Sequence, residues 1–538
     1  MVEVEQLQRH VQPVFDAELF LQLLQDNGFT HSNYHHLDPG LRQGVDLGYT
    51  GPFISIQTPN LQSANNRPHI MQKLVQKELQ KGRFLGPFSQ PPLDPFRINP
   101  IGFVPKKEPN EFRLISDLSQ PANHSVNFHI PKEASSVQYP TIQSAIDIIL
   151  ILRSQGHSPV LFKMDIKSAF RLLPVSQKMF ALAGIYFQGS YYIDAFLPMG
   201  CSSSCAIFQT FSDALVFLMK RCANVDHVLN YLDDYLGIAV NTVSATSQMA
   251  QIDDLVDNRL KIPFNQDKRE GPAPVLCFTG IELDCQELEA RLPQEKITKA
   301  LRLIDQIIQK PKVGVKKLQS LHGYLNYCAS IIPAGRAFLR SLGALMFHTA
   351  PCITVPDQVI LDLGTWKHFL LNFNGRAMFI PSGWEGPHIL SLETDSSGSW
   401  GCAAIFQGEF FAIPWPEDLP RASLSLLEFY PIVVATHVWH DRLKNGRLKI
   451  LSDNQGTVEI INKLKSRDNI IMQLVREFAL QCLQYNIWFQ AFHIPGKLNL
   501  GPDALSRGQF RRFRQRFPSA REIIPNLPPH MQPGTILR

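Results

Sequence analysis

The sequence predicts a multidomain protein that joins an α+β part to an α/β part. Three observations lead there. At 538 residues the chain is too long for one ordinary domain, and length alone suggests three or four. Strand-like and helical stretches alternate, with breaks in composition at the proline-rich passage from Pro87 to Pro105 and again around Pro381 to Pro387. Acidic residues recur at the ends of apolar strands in two separate regions.

Bulk composition narrows the class. Hydrophobic residues make up 44% and charged residues 18%, as in a packed globular protein, which argues against wholesale disorder. A formal net charge of +5 is compatible with a nucleic-acid partner without arguing for one. The nine Cys form no C-x-x-C pair and no His/Cys zinc spacing, so a reducing compartment is expected. The polar, acidic start does not resemble a signal peptide, and no apolar run is long enough for a bilayer. The expectation is a soluble intracellular protein, cytoplasmic or nuclear, with no membrane partner.

Elements follow from local pattern. Val14 to Leu24 and Ile70 to Lys81 are helix-like, within an N-terminal extension over residues 1–85. Ile101 to Val104 and Glu111 to Ile115 look like short strands. Thr141 is a candidate N-cap for a helix from Ile142 to Arg153. Val160 to Ile166 is strand-like, a hairpin turns at Gln188-Gly189, and Ser202 to Cys222 reads as a helix. Val228 to Val240 is apolar except for one acidic pair at its centre, which predicts a hairpin with carboxylates at the turn. Ile297, Ala300, Leu301, Ile304 and Ile308 keep a helical period, as do Val315, Leu318, Leu321 and Leu325. After Pro387 the expected order is strand, strand, helix, strand, helix, strand. Residues 508–538, with Arg511, Arg512, Arg514 and Arg516, read as a basic flexible tail.

Tyr231-Leu232-Asp233-Asp234 interrupts an apolar run, and Phe162-Lys163-Met164-Asp165 ends another in an acid. Desolvating a carboxylate costs several kcal/mol, so adjacent buried acids call for a compensating charge, and a divalent cation supplies one. Nucleotide addition requires carboxylates that hold two Mg²⁺ about 4 Å apart, which three acids on two neighbouring strands can do. Taken alone, a Tyr-x-Asp-Asp is also compatible with a solvated turn. Its ordered company is specific.

That company resembles the reverse transcriptases. Val104-Pro105-Lys106-Lys107 followed by Glu111-Phe112-Arg113-Leu114-Ile115-Ser116-Asp117 is similar to the family's fingers segment; the resemblance implies that Lys107 and Arg113 grip the incoming triphosphate. Asp165-Ile166-Lys167-Ser168-Ala169-Phe170 resembles the first metal motif, which would make Phe170 the ring that excludes a ribose 2′-hydroxyl. Leu197-Pro198-Met199-Gly200 with Ala206-Ile207-Phe208-Gln209 resembles the template- and nucleotide-binding segment, placing Met199 there. Phe278-Thr279-Gly280-Ile281-Glu282-Leu283 resembles the primer grip, which would comprise Thr279, Gly280 and Ile281. Lys268 is either the family's pyrophosphate-side lysine or a structural residue.

A second set of acids follows. Leu392-Glu393-Thr394-Asp395-Ser396-Ser397-Gly398 ends a strand in an acid and a tight turn, Glu428 lies near the start of a helix from Ser425, Asp453 follows Ile450-Leu451-Ser452, and Asp503 sits in Gly501-Pro502-Asp503-Ala504-Leu505-Ser506-Arg507. Delivered by strand, helix, strand and helix start, they predict a second two-metal site suited to phosphodiester hydrolysis. The pattern resembles RNase H, which cuts the RNA of an RNA–DNA hybrid. His493, ten residues before Asp503, stands where the retroviral-type domain carries a mobile histidine; a lone structural histidine is the competing reading. Pro431 falls inside the helix of Glu428 and is expected to kink it.

The resemblance covers roughly residues 70–507 and implies a right-hand polymerase with fingers and palm over 86–285, a helical thumb and connection over 286–385, and an RNase H domain over 386–507. It implies Mg²⁺, two ions per site with Mn²⁺ as a substitute. RNA template, DNA primer, RNA–DNA hybrid and dNTPs are the implied partners. Asp165-Ile166-Lys167-Ser168-Ala169-Phe170-Arg171, Ser202-Ser203-Ser204-Cys205 and Leu321-His322-Gly323-Tyr324-Leu325-Asn326 are similar to the DIRS-like (tyrosine-recombinase) retrotransposons, which implies an element-encoded recombinase as a further partner. Met199 replaces the family's usual Gln and Ser168 its usual Asp. One rival is a domesticated element that binds nucleic acid without polymerising, against which the presence of all seven acids weighs; the other is a polymerase of another retroelement lineage, of the long-terminal-repeat or pararetroviral type.

Overall fold

The computed structural model describes residues 11–30, 34–106, 110–372, 376–381, 383–419 and 422–537. They fall into two compact units, Met1–Thr279 with Leu283–Glu287, and Gly280–Glu282 with Leu288–Arg538.

The first unit is built on an antiparallel sheet with strand order Val228–Tyr231, Asp234–Ala239, Val160–Asp165, Glu270–Ala273. Its central strands are mostly buried, with Lys163, Asp165 and Asp234 as the charged exceptions. The helix Ser204–Cys222 buries Phe208, Phe211, Leu215, Leu218 and Met219. The helix Ile142–Ser154 starts at Thr141 with a reciprocal capping box to Ser144, two residues of the seam agreeing on one start point. Gln188 and Gly189 carry the hairpin between Gly184–Phe187 and Ser190–Asp194 at φ +48° and +80°, the left-handed pair that a tight two-residue turn requires. A second hairpin pairs Ile101–Pro105 with Phe112–Ser116.

The N-terminal segment expected as an extension is integral to this unit in its described part. The helix Ala17–Asp26, capped by Asp16, fully buries Phe20, whose ring stacks on Phe211 at 5.1 Å. Burial of one such side chain contributes roughly 1.5–3 kcal/mol. A buried ion pair also ties this unit together: Arg171 donates to both carboxylate oxygens of Asp194 at 2.6 and 3.0 Å.

The second unit begins with the helices Gln294–Gln309, Val315–Cys328 and Asp357–Asn372. Arg476 and Asp362 join two of its helices through a bond of 2.9 Å. A six-stranded sheet follows, ordered Trp488–His493, Arg447–Ser452, Ile389–Ser396, Gly401–Phe406, Glu409–Pro414, Arg521–Glu522. Ile389–Ser396 pairs antiparallel with Gly401–Phe406 and parallel with Arg447–Ser452, which pairs parallel with Trp488–His493.

One expectation about the element order is corrected here. Glu409–Pro414 is a third antiparallel strand, reached through Gln407-Gly408 at φ +48° and +79°, the same turn chemistry as Gln188-Gly189. Pro431 lies inside its helix, which runs Leu424–Val438. A proline leaves the carbonyl four residues before it without an intrahelical donor. That carbonyl, Leu427, instead accepts a hydrogen bond of 2.8 Å from the Ser396 hydroxyl.

The described part of the basic tail is not a loose linker. Phe510–Arg516 is helical, and Phe510, Phe513 and Phe517 recur at helical spacing between the arginines. Phe513 is fully buried, 4.7 Å from the Phe410 ring and 5.1 Å from Phe517. Arg521–Glu522 then adds the last strand beside Glu409–Phe410. Replacing Phe513 with Ala should therefore lower the unfolding free energy of the second unit by about 3–5 kcal/mol in a urea titration, where a loose tail would give no change.

Two candidate active sites built from carboxylates

The first cluster is made by register. Asp165, the last residue of Val160–Asp165, lies directly opposite Asp234, the first of Asp234–Ala239. Tyr231 pairs with Asp234 on the other side, so Leu232 and Asp233 form the turn, with Leu232 at φ +54°. The Ile166 amide donates to Asp233 O at 3.0 Å and closes the end of the ladder. Three acids thus share one sheet end, with Asp165 buried and Asp233 and Asp234 half-buried.

The strained turn is clamped from the helix behind it. Gln209 Oε1 accepts from the Leu232 amide at 3.1 Å, and Ser212 Oγ donates to Leu232 O at 2.7 Å. Asn230 Nδ2 donates to Ser212 Oγ and to Asp213 Oδ1 at 2.9 and 2.8 Å. Tyr139 packs on Tyr231 with ring centroids 4.4 Å apart. Ser212, Asn230, Asn265 and Tyr139 were not singled out from sequence. Ser212 follows Gln209 by one helical turn, a spacing that could have flagged it.

The other expected residues of this region fall as follows. Lys268 Nζ lies 2.8 Å from Asp165 Oδ2, and Asn265 Nδ2 donates to Asp165 Oδ1 at 3.3 Å. Lys268 is therefore in the cluster. Arg113, exposed on Phe112–Ser116, is near enough to lower the proton affinity of Asp233. Lys107 lies outside the described residues; its neighbour Lys106 pairs with Glu111 at 2.5 Å. Phe170 is half-buried after the left-handed Ser168 and packs 5.4 Å from Phe208. Met199 is exposed, and Gly200 beside it backs onto Ser116 O so closely that a Cβ would collide. Thr279 and Gly280 form a turn at φ +47° and +81°, with Ile281 buried after it.

The second cluster assembles from three elements. Asp395 on Ile389–Ser396, Glu428 on Leu424–Val438 and Asp453 just past Arg447–Ser452 place one carboxylate oxygen each within 4.8 Å of one another. The Ser396–Leu427 hydrogen bond pins the helix to the strand one residue from both Glu428 and Asp395. Ser506 Oγ donates to Asp395 Oδ2 at 2.5 Å, and Asn499 Nδ2 to Asp395 Oδ1 at 3.4 Å. Asp503 stands outside this tight group, bound by Arg507 Nε at 2.7 Å with Arg512 Nη1 at 3.7 Å. His493 is exposed at the end of its strand, with Nε2 3.2 Å from Asp453 O.

Residues 104–283, which hold the whole first cluster, match the family model described as reverse transcriptase (RNA-dependent DNA polymerase). The chain contains a reverse transcriptase domain. No curated protein matches the sequence. Among solved structures it is similar to the foamy viral protease-reverse transcriptase dRH in complex with double-stranded DNA, with 15% identity and a TM-score of 0.50 over 89% of this chain and 81% of that one. A second, the foamy viral protease-reverse transcriptase in complex with dsDNA, shares 14% identity at a TM-score of 0.47, covering 89% of this chain and 96% of that one. The first likeness shows the fold: a mixed α/β multidomain protein resembling a retroviral reverse transcriptase with an RNase H-like region. No helix among the described residues is long and apolar enough to cross a membrane.

Electrostatics test whether these sites suit a cation. In the reverse transcriptase domain, burial raises the proton affinity of Asp233, with Asp165 adding to it. Burial likewise pushes Asp234 up to about 6, opposed by Lys163 and reinforced by its two acidic neighbours. In the RNase H-like region burial pushes Asp395 up to about 7, and Asp453 and Asp503 add to the shift against the Ser506 hydrogen bond. Glu428 is pushed up to about 9 by burial and then by Asp395 and Asp453. Its Oε2 is buried with no hydrogen-bond partner. A donor set of closely grouped carboxylate oxygens fits a hard divalent ion such as Mg²⁺ or Mn²⁺.

The sign of the linkage is definite. Asp395 and Glu428 hold protons more tightly folded than unfolded, so their contribution favours folding below about pH 4. It is lost as pH rises through about 7 and then about 9. In EDTA the calorimetric Tm of the second unit should fall by several degrees between pH 5 and pH 9. Saturating Mg²⁺ at pH 8 should recover it, and Glu428→Gln should flatten the profile.

Proposed function

We propose that the protein is an RNA-directed and DNA-directed DNA polymerase with RNase H activity, which copies a retroelement RNA and degrades the RNA of the resulting hybrid. The observation that carries this reading is the register of Asp165 against Asp234 with Asp233 at the adjoining turn, inside the segment that matches the reverse transcriptase family. The triad Asp395, Glu428 and Asp453 supports the hydrolytic half.

Each site would hold two Mg²⁺, the first through Asp165, Asp233 and Asp234 and the second through Asp395, Glu428 and Asp453, with Asp503 adjoining. Bound there, the ions would activate the attacking oxygen and neutralise charge on the phosphoryl group. The chain's own residues do the rest. Arg113, with Lys107, binds the triphosphate of the incoming dNTP as a charge-assisted donor. Lys268 sits beside Asp165, where it can neutralise the departing pyrophosphate. Phe170, backed by Phe208, presents a flat ring against the sugar and rejects a 2′-hydroxyl. Met199 and Gly200 shape the template side, and Thr279, Gly280 and Ile281 guide the primer strand. In the second site His493, exposed beside Asp453, assists proton transfer or product release.

The motif pattern supports a DIRS-like element with an RNA template, a DNA primer and a separately encoded recombinase as partners, acting inside the cell. Primer extension on an RNA template and cleavage of an RNA–DNA hybrid test the two halves together. Asp233→Asn combined with Asp234→Asn should abolish extension by on the order of 10³-fold or more and spare cleavage, and Asp395→Asn should do the reverse. Extension that survives the double substitution removes the polymerase assignment; parallel loss of both activities in either protein means one shared site or a misfolded chain.

A further inference from the structure

The arginines beside Asp503 are not used by either set of acids. Asp503 lies on the short helix Leu500–Ser506, and both of its oxygens face cations: Arg507 Nε at 2.7 Å on Oδ1 and Arg512 Nη1 at 3.7 Å on Oδ2. One carboxylate cannot neutralise two guanidinium groups, so this corner of the second unit is net positive. Arg511 and Arg516 add two further exposed cations from the same segment, while Arg514 is drawn back over the Phe410 ring at 5.1 Å and toward Glu522 at 4.0 Å.

The pair is held in place. Arg512 is carried by Phe510–Arg516, which the buried Phe513 anchors to the sheet, and its Nη1 also donates to Gln509 Oε1 at 3.0 Å. Arg507 engages Asp503 through Nε, which leaves its two Nη groups to serve a second oxyanion. Both side chains remain about half exposed, at 53% and 50%. Arg507 directly follows Ser506, whose hydroxyl donates to Asp395 Oδ2 at 2.5 Å, and Arg512 shares Asp503 with it, so the pair stands beside the acid cage.

We propose that Arg507 and Arg512, aligned by Asp503, form a binding site for a backbone phosphate of the RNA–DNA hybrid next to the scissile bond. This rests on the hydrolytic half of the proposed function. The arginine forks match a phosphodiester in geometry and charge, and the acid cage alone would repel the polyanion it has to receive. The contact is to backbone and carries no sequence information, so it sets affinity and register of the hybrid.

Hybrid cleavage by the full chain tests the site through the split of KM from kcat and through salt dependence. In Arg507→Gln combined with Arg512→Gln, KM for the hybrid should rise roughly tenfold, about the worth of one charge-assisted hydrogen bond, with kcat changed far less. The fall of log(kcat/KM) with log[KCl] should become shallower by about 1–2, roughly one unit for each phosphate that an arginine no longer neutralises. Lysine at both positions should restore the salt slope and part of the affinity, which also guards against a misfolded glutamine variant. Primer extension on an RNA template should keep its KM within about twofold, since its acids lie in the other unit. An unchanged KM and salt slope would overturn the proposal, as would a collapse of kcat with KM and slope intact, because the pair would then act on the cage. Failure of the unsubstituted protein to cleave any hybrid is a different result: it removes the hydrolytic reading itself and this inference with it.

Discussion

Mutual repulsion of carboxylates forced out of water is the constraint on which the functional architecture turns. Asp165, Asp233 and Asp234 share one sheet end, and Asp395, Glu428 and Asp453 share another. Neither arrangement would persist on the strength of the acids themselves; each raises the proton affinity of its neighbours. The backbone must therefore hold them against their own field. In the first unit it does so by strand register and by a turn residue in the left-handed region, Leu232, whose amide and carbonyl are both fixed by Gln209 and Ser212. In the second it uses a bond between strand and helix, Ser396 to the carbonyl of Leu427.

That bond gives Pro431 a constructive reading. A proline in mid-helix removes one rung, and here the carbonyl it releases becomes the attachment point that fixes Glu428 beside Asp395. The local rule against proline is broken at a site where the freed acceptor has a use.

The two clusters also manage charge differently. The first has cations close by: Lys268 on Asp165 at 2.8 Å and Lys163 at 3.8 Å from Asp234. Among the described residues the second shows no ion pair on its three acids, and Arg507 and Arg512 are engaged by Asp503. Glu428, enclosed and without a partner for Oε2, accordingly shows the larger displacement of proton affinity, to about 9 against about 6 for Asp234. The inner acids are left for an external cation, and the outer arginines for an external anion.

Much of this was legible in the chain itself, because local pattern carries it. The Thr141 cap, the Gln188-Gly189 hairpin, the helical period after Ile297 and the carboxylates at strand ends are all short-range signals. Two further signals of the same kind lie in the chain without having entered the expected element order: Gln407-Gly408 marks a hairpin as Gln188-Gly189 does, and Phe510, Phe513 and Phe517 keep a helical spacing under the arginine run. What only tertiary structure decided is which distant side chains meet. Nothing local announces that Ser396 will satisfy Leu427, that Lys268 will reach Asp165, or that Asp395, Glu428 and Asp453 will draw together. Those outcomes depend on strand order and helix placement, which are set by burial of apolar surface summed over whole units, whereas caps, turns and periodicity are settled within a few residues.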